Sequence, residues 1–407
     1  MNYLDLILQQ QQDKIAIITD DNQYTYGELA QKAKNIRQTI DLTAKRRPIF
    51  IHEDKIIDQL ISFLAYSGTN HIPIIATEAS KNQKFIIKNI PQNACMGVMT
   101  SGSTGKSKLF WRNYNSWADF FPIQNKIFNI NEDTVIFCQG SLAFTGNLNI
   151  YLGVFACGGT VIATEKFRPK NWLDLMTKYK VNTIYLIPTK LLLLPKFATL
   201  PNTQIKQIIS GSQSMNKHDA LKLKQIYPKT TITLYYGASE LNYITYINDI
   251  DMTEDRTSVG KPFTDVKITI KNEEIFVNTP YHVEGISLPF SLKDKGYIDT
   301  NGSLHFLGRK DDICNINGLK ISTSKIENAL IKVFQTNELI VIPSHKNDSD
   351  TLKAFIAGEK QFTKQEILKS LKPYLTDFEM PKQFIYLKTL PKNESGKIDK
   401  LKLQSLM

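Results

Sequence analysis

The chain has 407 residues, 42% hydrophobic and 22% charged, with 50 Lys and Arg against 39 Asp and Glu for a net charge of +11. That is the composition of a globular protein of roughly two or three domains. It holds no apolar run of about 18 residues to span a bilayer and no basic–apolar leader at Met1-Asn2-Tyr3, so a cytoplasmic protein without an integral membrane segment is expected. The basic residues are dispersed, Lys45-Arg46-Arg47 being the densest group, and no helix-turn-helix, RNP or zinc-finger pattern accompanies them. Nucleic acid is therefore not expected as a partner, whereas a positive field suits small anionic substrates. Cys95, Cys138, Cys157 and Cys314 are scattered, which argues against a disulfide framework or a zinc site. Cys138 and Cys157 lie in apolar stretches and read as small core residues.

In chain order, residues 15–18 and 48–51 predict buried strands, separated by a helix with Thr25 as N-cap and Glu28 as its capping-box partner. The apolar piece 95–99 runs into Met99-Thr100-Ser101-Gly102-Ser103-Thr104-Gly105-Lys106-Ser107-Lys108. Glycines let backbone N–H groups approach a polyanion, and consecutive inward N–H groups form an anion site. It is not a Walker A loop, because the first glycine of G-x-x-x-x-G-K-[ST] would fall on Thr100. Taken alone, this stretch is either a phosphate grip or an ordinary Ser/Gly-rich turn. Residues 135–137, 160–162 and 183–186 predict further strands, and 172–179 a helix. Residues 205–209 lead into the turn Ser210-Gly211-Ser212, and 231–236 into Gly237-Ala238-Ser239. The alternation is that of an α/β sheet layered with helices, in which ligands bind where strands end. Past residue 260, a hairpin over 267–270 and 274–278 precedes a strand at 303–307 and the charged break Gly308-Arg309-Lys310-Asp311-Asp312. The expected domains are 1–309 and 310–407, the second a small α+β unit with helices over 324–333 and 364–371.

Several separated motifs now fall in one order. Residues 100–108 resemble the [ST]-[ST]-G-[ST]-T-G-x-P-K signature of the adenylate-forming superfamily, which includes acyl-CoA synthetases, luciferases and peptide-synthetase adenylation domains. Ser210-Gly211-Ser212-Gln213 is similar to its second glycine turn, and Tyr236-Gly237-Ala238-Ser239-Glu240 to its Y-G-x-[ST]-E. Asp294 with residues 299–309 resembles its ribose segment. Leu390-Pro391-Lys392-Asn393-Glu394-Ser395-Gly396-Lys397 resembles its terminal L-P-[KR]-x-x-S-G-K. The resemblance spans residues 24–400, and the compact form with Trp111-Arg112-Asn113 is most similar to small bacterial acyl-CoA synthetases.

The resemblance implies a large N-terminal domain of parallel and mixed sheets and a mobile C-terminal domain. It implies an enzyme that uses ATP, Mg²⁺ and CoA to convert a carboxylic acid to an acyl adenylate and then a thioester. Thr100, Ser101, Gly102, Ser103, Thr104, Gly105 and Lys108 would hold the β- and γ-phosphates. Tyr236 would face adenine, with Gly211, Ser212 and Gln213 framing its other side and Gly237 and Ser239 adjoining. Glu240 would hold Mg²⁺, which takes one or two carboxylates plus phosphate oxygens. Asp294 and Arg309 would hold the ribose. Lys397 would bridge the carboxylate and α-phosphate, stabilising developing charge. Asp311 would be the hinge whose rotation brings Gly318 and Lys320 to the thiol tunnel. Phe144, Leu148, Tyr185 and Tyr243 would line the acyl pocket.

Departures from the pattern accompany the matches. Ser107 replaces a proline, Leu292-Lys293-Asp294 replaces T-G-D, Phe144 replaces a histidine, and Asn315 stands where many members have lysine. The region between Ile51 and Thr100 is short, so the first subdomain is reduced. Thr145 and Gly146 follow Phe144 where amino-acid-activating relatives place an aspartate, and an unpaired buried ammonium would be costly. A simple, aliphatic or fatty acid is expected instead. An acyl carrier protein in place of CoA is the alternative acceptor, which the basic surface would suit. A non-catalytic binding protein on a decayed scaffold is a further alternative, against which Lys108, Glu240, Arg309 and Lys397 stand intact. Chain length of the acid and oligomeric state are left open by the sequence.

Overall fold

The computed structural model describes the chain apart from residues 1, 21, 78–79, 81–82, 84, 88, 102–106, 310–311, 317–318, 347–348, 393–397 and 406–407, and apart from the side chains of 101, 313, 315, 319–320, 345–346, 349–350 and 401. Local chemistry sets the first helices. The Thr25 hydroxyl accepts from the Glu28 N–H at 3.1 Å, and the Glu28 carboxylate accepts from the Thr25 N–H at 2.8 Å. This capping box opens helix Tyr26–Gln38, which buries Tyr26, Leu29, Ala30 and Ala33.

The chain divides into two compact units, residues 1–268 with 277–290 and residues 269–276 with 291–407. In the first unit, a sheet runs in the order Ser258–Pro262, Asn242–Asn248, Thr231–Ala238, Gln207–Gly211, Thr183–Tyr185, Val135–Gln139, Thr160–Thr164, Ile15–Ile18, Gln23–Thr25. Pairing is parallel from Thr231–Ala238 through to Ile15–Ile18 and antiparallel at both edges. Helices Pro169–Lys178 and Lys217–Ile226 close one core, with Trp172, Met176 and Leu223 packed against Ile184, Ile208 and Ile232. Burial of such apolar side chains, each contributing roughly 1.5–3 kcal/mol, holds the strand ends in place. Helix Thr145–Ala156 is buried continuously from Asn147 to Phe155. A helix apolar on all sides must be interior, and its lack of a polar stripe removes the periodicity by which a sequence announces a helix.

A separate four-stranded sheet orders Arg47–Ile51, His71–Ile75, Ala94–Ser101 and Ser107–Asn113. Its last two strands form an antiparallel hairpin with Thr100 opposite Lys108 and Ser101 opposite Ser107.

In the second unit, strands Phe290–Ile298 and Leu304–Arg309 pair antiparallel. Strands Leu339–Lys346, Ser349–Ala357 and Gln383–Leu387 form a three-stranded sheet, antiparallel then parallel. Helices Thr323–Phe334 and Lys364–Leu371 bury Ile326, Leu330, Ile367 and Leu371 in its core. Residues 291–309, expected with the larger domain, thus cluster with the C-terminal residues. Strand pairing across 291–309 outweighs the compositional break near Lys310. The fold is mixed α/β with a smaller α+β unit, and no described helix is long and apolar enough to cross a membrane.

Candidate active site

Adjacent strands of the large sheet deliver their C-terminal ends to one edge. Val135–Gln139 leads to Phe144, Thr183–Tyr185 ends on Tyr185, Gln207–Gly211 leads to Ser212 and Gln213, and Thr231–Ala238 carries Tyr236 and Gly237. This is where open α/β sheets bind ligands. The strand expected to stop before Ser210 runs through Gly211, and the chain turns at Ser212, whose φ is +68°. Such a left-handed value is uncommon outside glycine. The Gln213 side-chain oxygen accepts from the Thr189 N–H at 3.1 Å, which ties the turn to helix Pro188–Leu191.

Gly211 sits opposite Tyr235 in the parallel pair, and a Cβ there would enter the Tyr235 ring. The Tyr235 and Tyr185 hydroxyls are hydrogen-bonded at 2.7 Å, with Ser212 also bonded to Tyr235. Burial pushes the Tyr235 phenol up to about 12 and raises Tyr185 well above its ordinary value, so both are neutral at physiological pH. Tyr243 packs against Tyr235 with ring centroids 4.4 Å apart and planes tilted by 53°, and its buried hydroxyl has no hydrogen-bond partner among the described residues. The sequence motif rests on Tyr236, half-buried on the opposite side of the strand, and does not mark its neighbour Tyr235. Alternation along a strand decides which of two adjacent tyrosines faces which way, and the sequence alone left that unassigned.

Glu240 and Ser239 lie in the turn between strands Thr231–Ala238 and Asn242–Asn248, so Glu240 sits on a hairpin tip rather than at a helix start. Asn242, at φ +63°, completes the reversal, and a Cβ at Gly237 would press on the Asn242 carbonyl. The Ser239 and Thr145 hydroxyls lie 3.3 Å apart, joining the turn to the start of helix Thr145–Ala156. Arg112, on the strand that leaves the candidate phosphate loop, is fully buried. Its guanidinium donates to the Ser239 carbonyl at 2.7 Å, the Tyr281 carbonyl at 3.1 Å and the Ser116 hydroxyl at 3.1 Å, and lies 5.4 Å from the Trp117 ring centroid. Burial lowers its pKa to about 10, opposed by the nearby Tyr3 and Glu240 charges. It is cationic at neutral pH and couples the loop-bearing hairpin to the Glu240 turn. In sequence, Arg112 stands only within Trp111-Arg112-Asn113, and no pattern there marks it as interior.

Thr100 and the exposed Lys108 face each other at the base of the hairpin, and Gln83 braces it, accepting from the Ser107 N–H at 2.9 Å and donating to the Ser107 carbonyl at 2.8 Å. Gly102, Ser103, Thr104 and Gly105 lie outside the described residues, as does the Ser101 side chain. Of the expected acyl-pocket residues, Leu148, Tyr185 and Tyr243 are buried and Phe144 is half-buried.

In the second unit, Asp294 is buried and pairs in register with Arg309, whose Nε lies 3.5 Å from its carboxylate. The two residues are therefore cross-strand partners, Asp294 in the middle of its strand and Arg309 at the end of its own. Asp311, Gly318, Lys397 and the Lys320 side chain lie outside the described residues. On either side of residues 393–397, Lys392 and Ile398 form a bridge and the Asp399 N–H donates to the Pro391 carbonyl at 2.8 Å. Lys392 pairs with Glu338 at 2.7 Å and Lys400 with Asp312 at 3.1 Å.

Comparisons with known proteins agree with this fold. YhfT of Bacillus subtilis (strain 168), named as an acyl-CoA ligase, is 28% identical over 328 residues, 76% of this chain and 67% of its own. VraA of Staphylococcus epidermidis, named as a long chain fatty acid-CoA ligase, is 22% identical over 452 residues, 100% of this chain and 98% of its own. The D-alanine–D-alanyl carrier protein ligase of Lactococcus lactis subsp. lactis (strain IL1403) is 26% identical over 342 residues, 74% of this chain and 68% of its own. The O-succinylbenzoate coenzyme A synthetase MenE of B. subtilis, solved with ATP and magnesium ion, shares the fold at a TM-score of 0.81, 17% identity and 99% coverage of both chains. Residues 73–286 match the AMP-binding enzyme family. The chain belongs to that family and is an adenylate-forming ligase.

Proposed function

We propose that this protein is an acid–thiol ligase that activates an aliphatic carboxylic acid with ATP and passes the acyl group to CoA. The acid's carboxylate oxygen attacks the α-phosphorus and pyrophosphate leaves. The CoA thiol then attacks the acyl carbonyl and AMP leaves. The observation that carries this reading is the convergence of Gly211, Ser212, Gln213, Tyr236, Ser239 and Glu240 with the start of helix Thr145–Ala156 at one edge of the sheet.

In this reading Tyr236, Gly237 and the 211–213 turn hold adenine, residues 100–105 and Lys108 hold the β- and γ-phosphates, and Asp294 and Arg309 hold the ribose. Lys397 carries the cation for the α-phosphate, Asp311 is the hinge between half-reactions, and Gly318 and Lys320 belong to the thiol path. The mobile part is residues 310–407. Glu240 is the Mg²⁺ ligand. A lone carboxylate fits a metal that takes most of its ligands from phosphates and water, and the described residues hold no cluster of three metal-ligating side chains. Bound Mg²⁺ supplies neutralisation of phosphate charge. Phe144, Leu148, Tyr185 and Tyr243 surround the acid. Access to ATP and CoA implies a cytoplasmic setting.

A second reading keeps the adenylation and replaces CoA by the phosphopantetheine of an acyl carrier protein. The net charge of +11 favours it, since it complements an acidic carrier. The test supplies ATP, Mg²⁺ and an acid with either CoA or a phosphopantetheinylated carrier protein, and detects the thioester by mass. Acyl-CoA supports the first reading and acyl carrier alone the second. Glu240→Gln is expected to lower kcat by on the order of 10²-fold.

A further inference from the structure

The residues assigned to the acid's tail are packed shut. Leu148, Tyr185 and Tyr243 are 4%, 3% and 4% exposed. The Tyr185 and Tyr235 rings are parallel, 4° apart in plane with centroids at 6.4 Å, and their hydroxyls share the 2.7 Å hydrogen bond. Each tyrosine is admitted by a glycine on a different element. A side chain at Gly146, in the first turn of helix Thr145–Ala156, would collide with the Tyr185 hydroxyl and press on the Phe144 ring. A side chain at Gly211 would enter the Tyr235 ring. The pair is therefore built into the backbone.

A tail that passes Phe144 along this helix meets the Tyr185 hydroxyl. To continue, it must swing Tyr185 aside. That would break the buried Tyr185–Tyr235 hydrogen bond, leaving Tyr235 only its bond with Ser212, and overpack a closed core. A short tail does neither.

We infer that the Tyr185–Tyr235 pair is the floor of the acyl pocket and restricts this enzyme to short-chain acids, with Tyr185 the specificity-determining residue. The inference rests on the acid-activating function proposed above. It departs from the long chain named for one relative.

The test measures kcat/KM for pyrophosphate release with acetate, propionate, butyrate, hexanoate, octanoate and palmitate, for the wild-type protein, Tyr185→Ala and Tyr185→Phe. The wild type should peak at or before butyrate and lose roughly tenfold or more for each methylene beyond its limit. Tyr185→Ala should move the peak to hexanoate or octanoate, whereas Tyr185→Phe, which keeps the ring, should keep the short preference. A wild-type peak at octanoate or palmitate overturns the inference, and so does an active Tyr185→Ala variant with an unshifted profile. If Tyr185→Ala does not fold, the wild-type series decides alone. No release with any acid would overturn the acid-activating function itself, whereas release confined to long acids overturns only the floor.

Discussion

Arg112 donates a hydrogen bond to the Ser239 carbonyl at 2.7 Å, from the strand that follows the candidate phosphate loop to the turn that carries Glu240. A cation with no exposed surface is retained only where several acceptors converge on it, because unpaired burial of charge is costly. Here the acceptors are Ser239, Tyr281 and Ser116.

Arg112→Met should lower the unfolding free energy by about 3 kcal/mol, since it strands the buried Ser116 and Tyr281 acceptors and the half-buried Ser239 carbonyl. Urea unfolding measures this. Arg112→Lys should not restore stability, because one ammonium cannot reproduce the forked geometry of a guanidinium. The Mg²⁺ concentration needed for half-maximal pyrophosphate release should rise in both variants, as the Glu240 turn loses its brace. Wild-type stability in Arg112→Met would show the three contacts to be dispensable.

Gly211→Ala places a methyl where the Tyr235 ring lies. The hydrogen-bonded Tyr185–Tyr235 pair cannot give way without breaking that bond, so overpacking of about 1–3 kcal/mol is expected, together with displacement of the Ser212 turn. Thermal unfolding and pyrophosphate release should fall together in this variant. An unshifted melting temperature would mean that Tyr235 moves aside freely.

The parts of the fold that were readable are those with local chemistry. Thr25 and Glu28 announce a helix start, and residues 364–371 show an amphipathic face with Thr363 and Glu366 forming a second capping box. The runs 15–18, 135–137, 160–162 and 183–186, rich in β-branched residues, stand out as strands, and the structure has strands at Ile15–Ile18, Val135–Gln139, Thr160–Thr164 and Thr183–Tyr185. Helix Thr145–Ala156 was not readable, because it is buried from Asn147 to Phe155 and has no polar stripe. Glu240 could be named from its motif, but its hairpin position depends on the strand Asn242–Asn248 returning antiparallel. Arg112, Tyr235 and Gln83 act through contacts far apart in sequence, such as the 127 residues between Arg112 and Ser239, and no local pattern marks such pairs.

Glu327 links stability to pH. Burial pushes its carboxyl up to about 7 from an ordinary 4.5, opposed by the hydrogen bond from the Val341 N–H at 2.9 Å and by Lys400, and reinforced by Asp312. Between 4.5 and 7 the folded state holds more protons than the unfolded one. The Glu327 contribution therefore strengthens as pH falls from 7 toward 4.5 and is lost as pH rises through 7. Glu327→Gln should flatten this slope in denaturant titrations across that window, and an unchanged slope would show that Glu327 titrates as an ordinary carboxylate.

Lys397→Ala should abolish acyl-adenylate formation and leave thioester formation from a preformed acyl adenylate intact. With Pro391, Lys392 and Lys400 held by their own contacts, the substitution should change stability by no more than about 0.5 kcal/mol. Single-turnover assays of each half-reaction separate the two steps. Equal loss of both would remove the assigned role.

The most direct measurement is pyrophosphate release from ATP and Mg²⁺ across carboxylic acids and amino acids, with and without CoA. The account predicts release that depends on a simple acid, that rises when CoA is added, and that is absent with amino acids. Release with no acid dependence, or none with any acid from folded protein that still binds ATP, would contradict it.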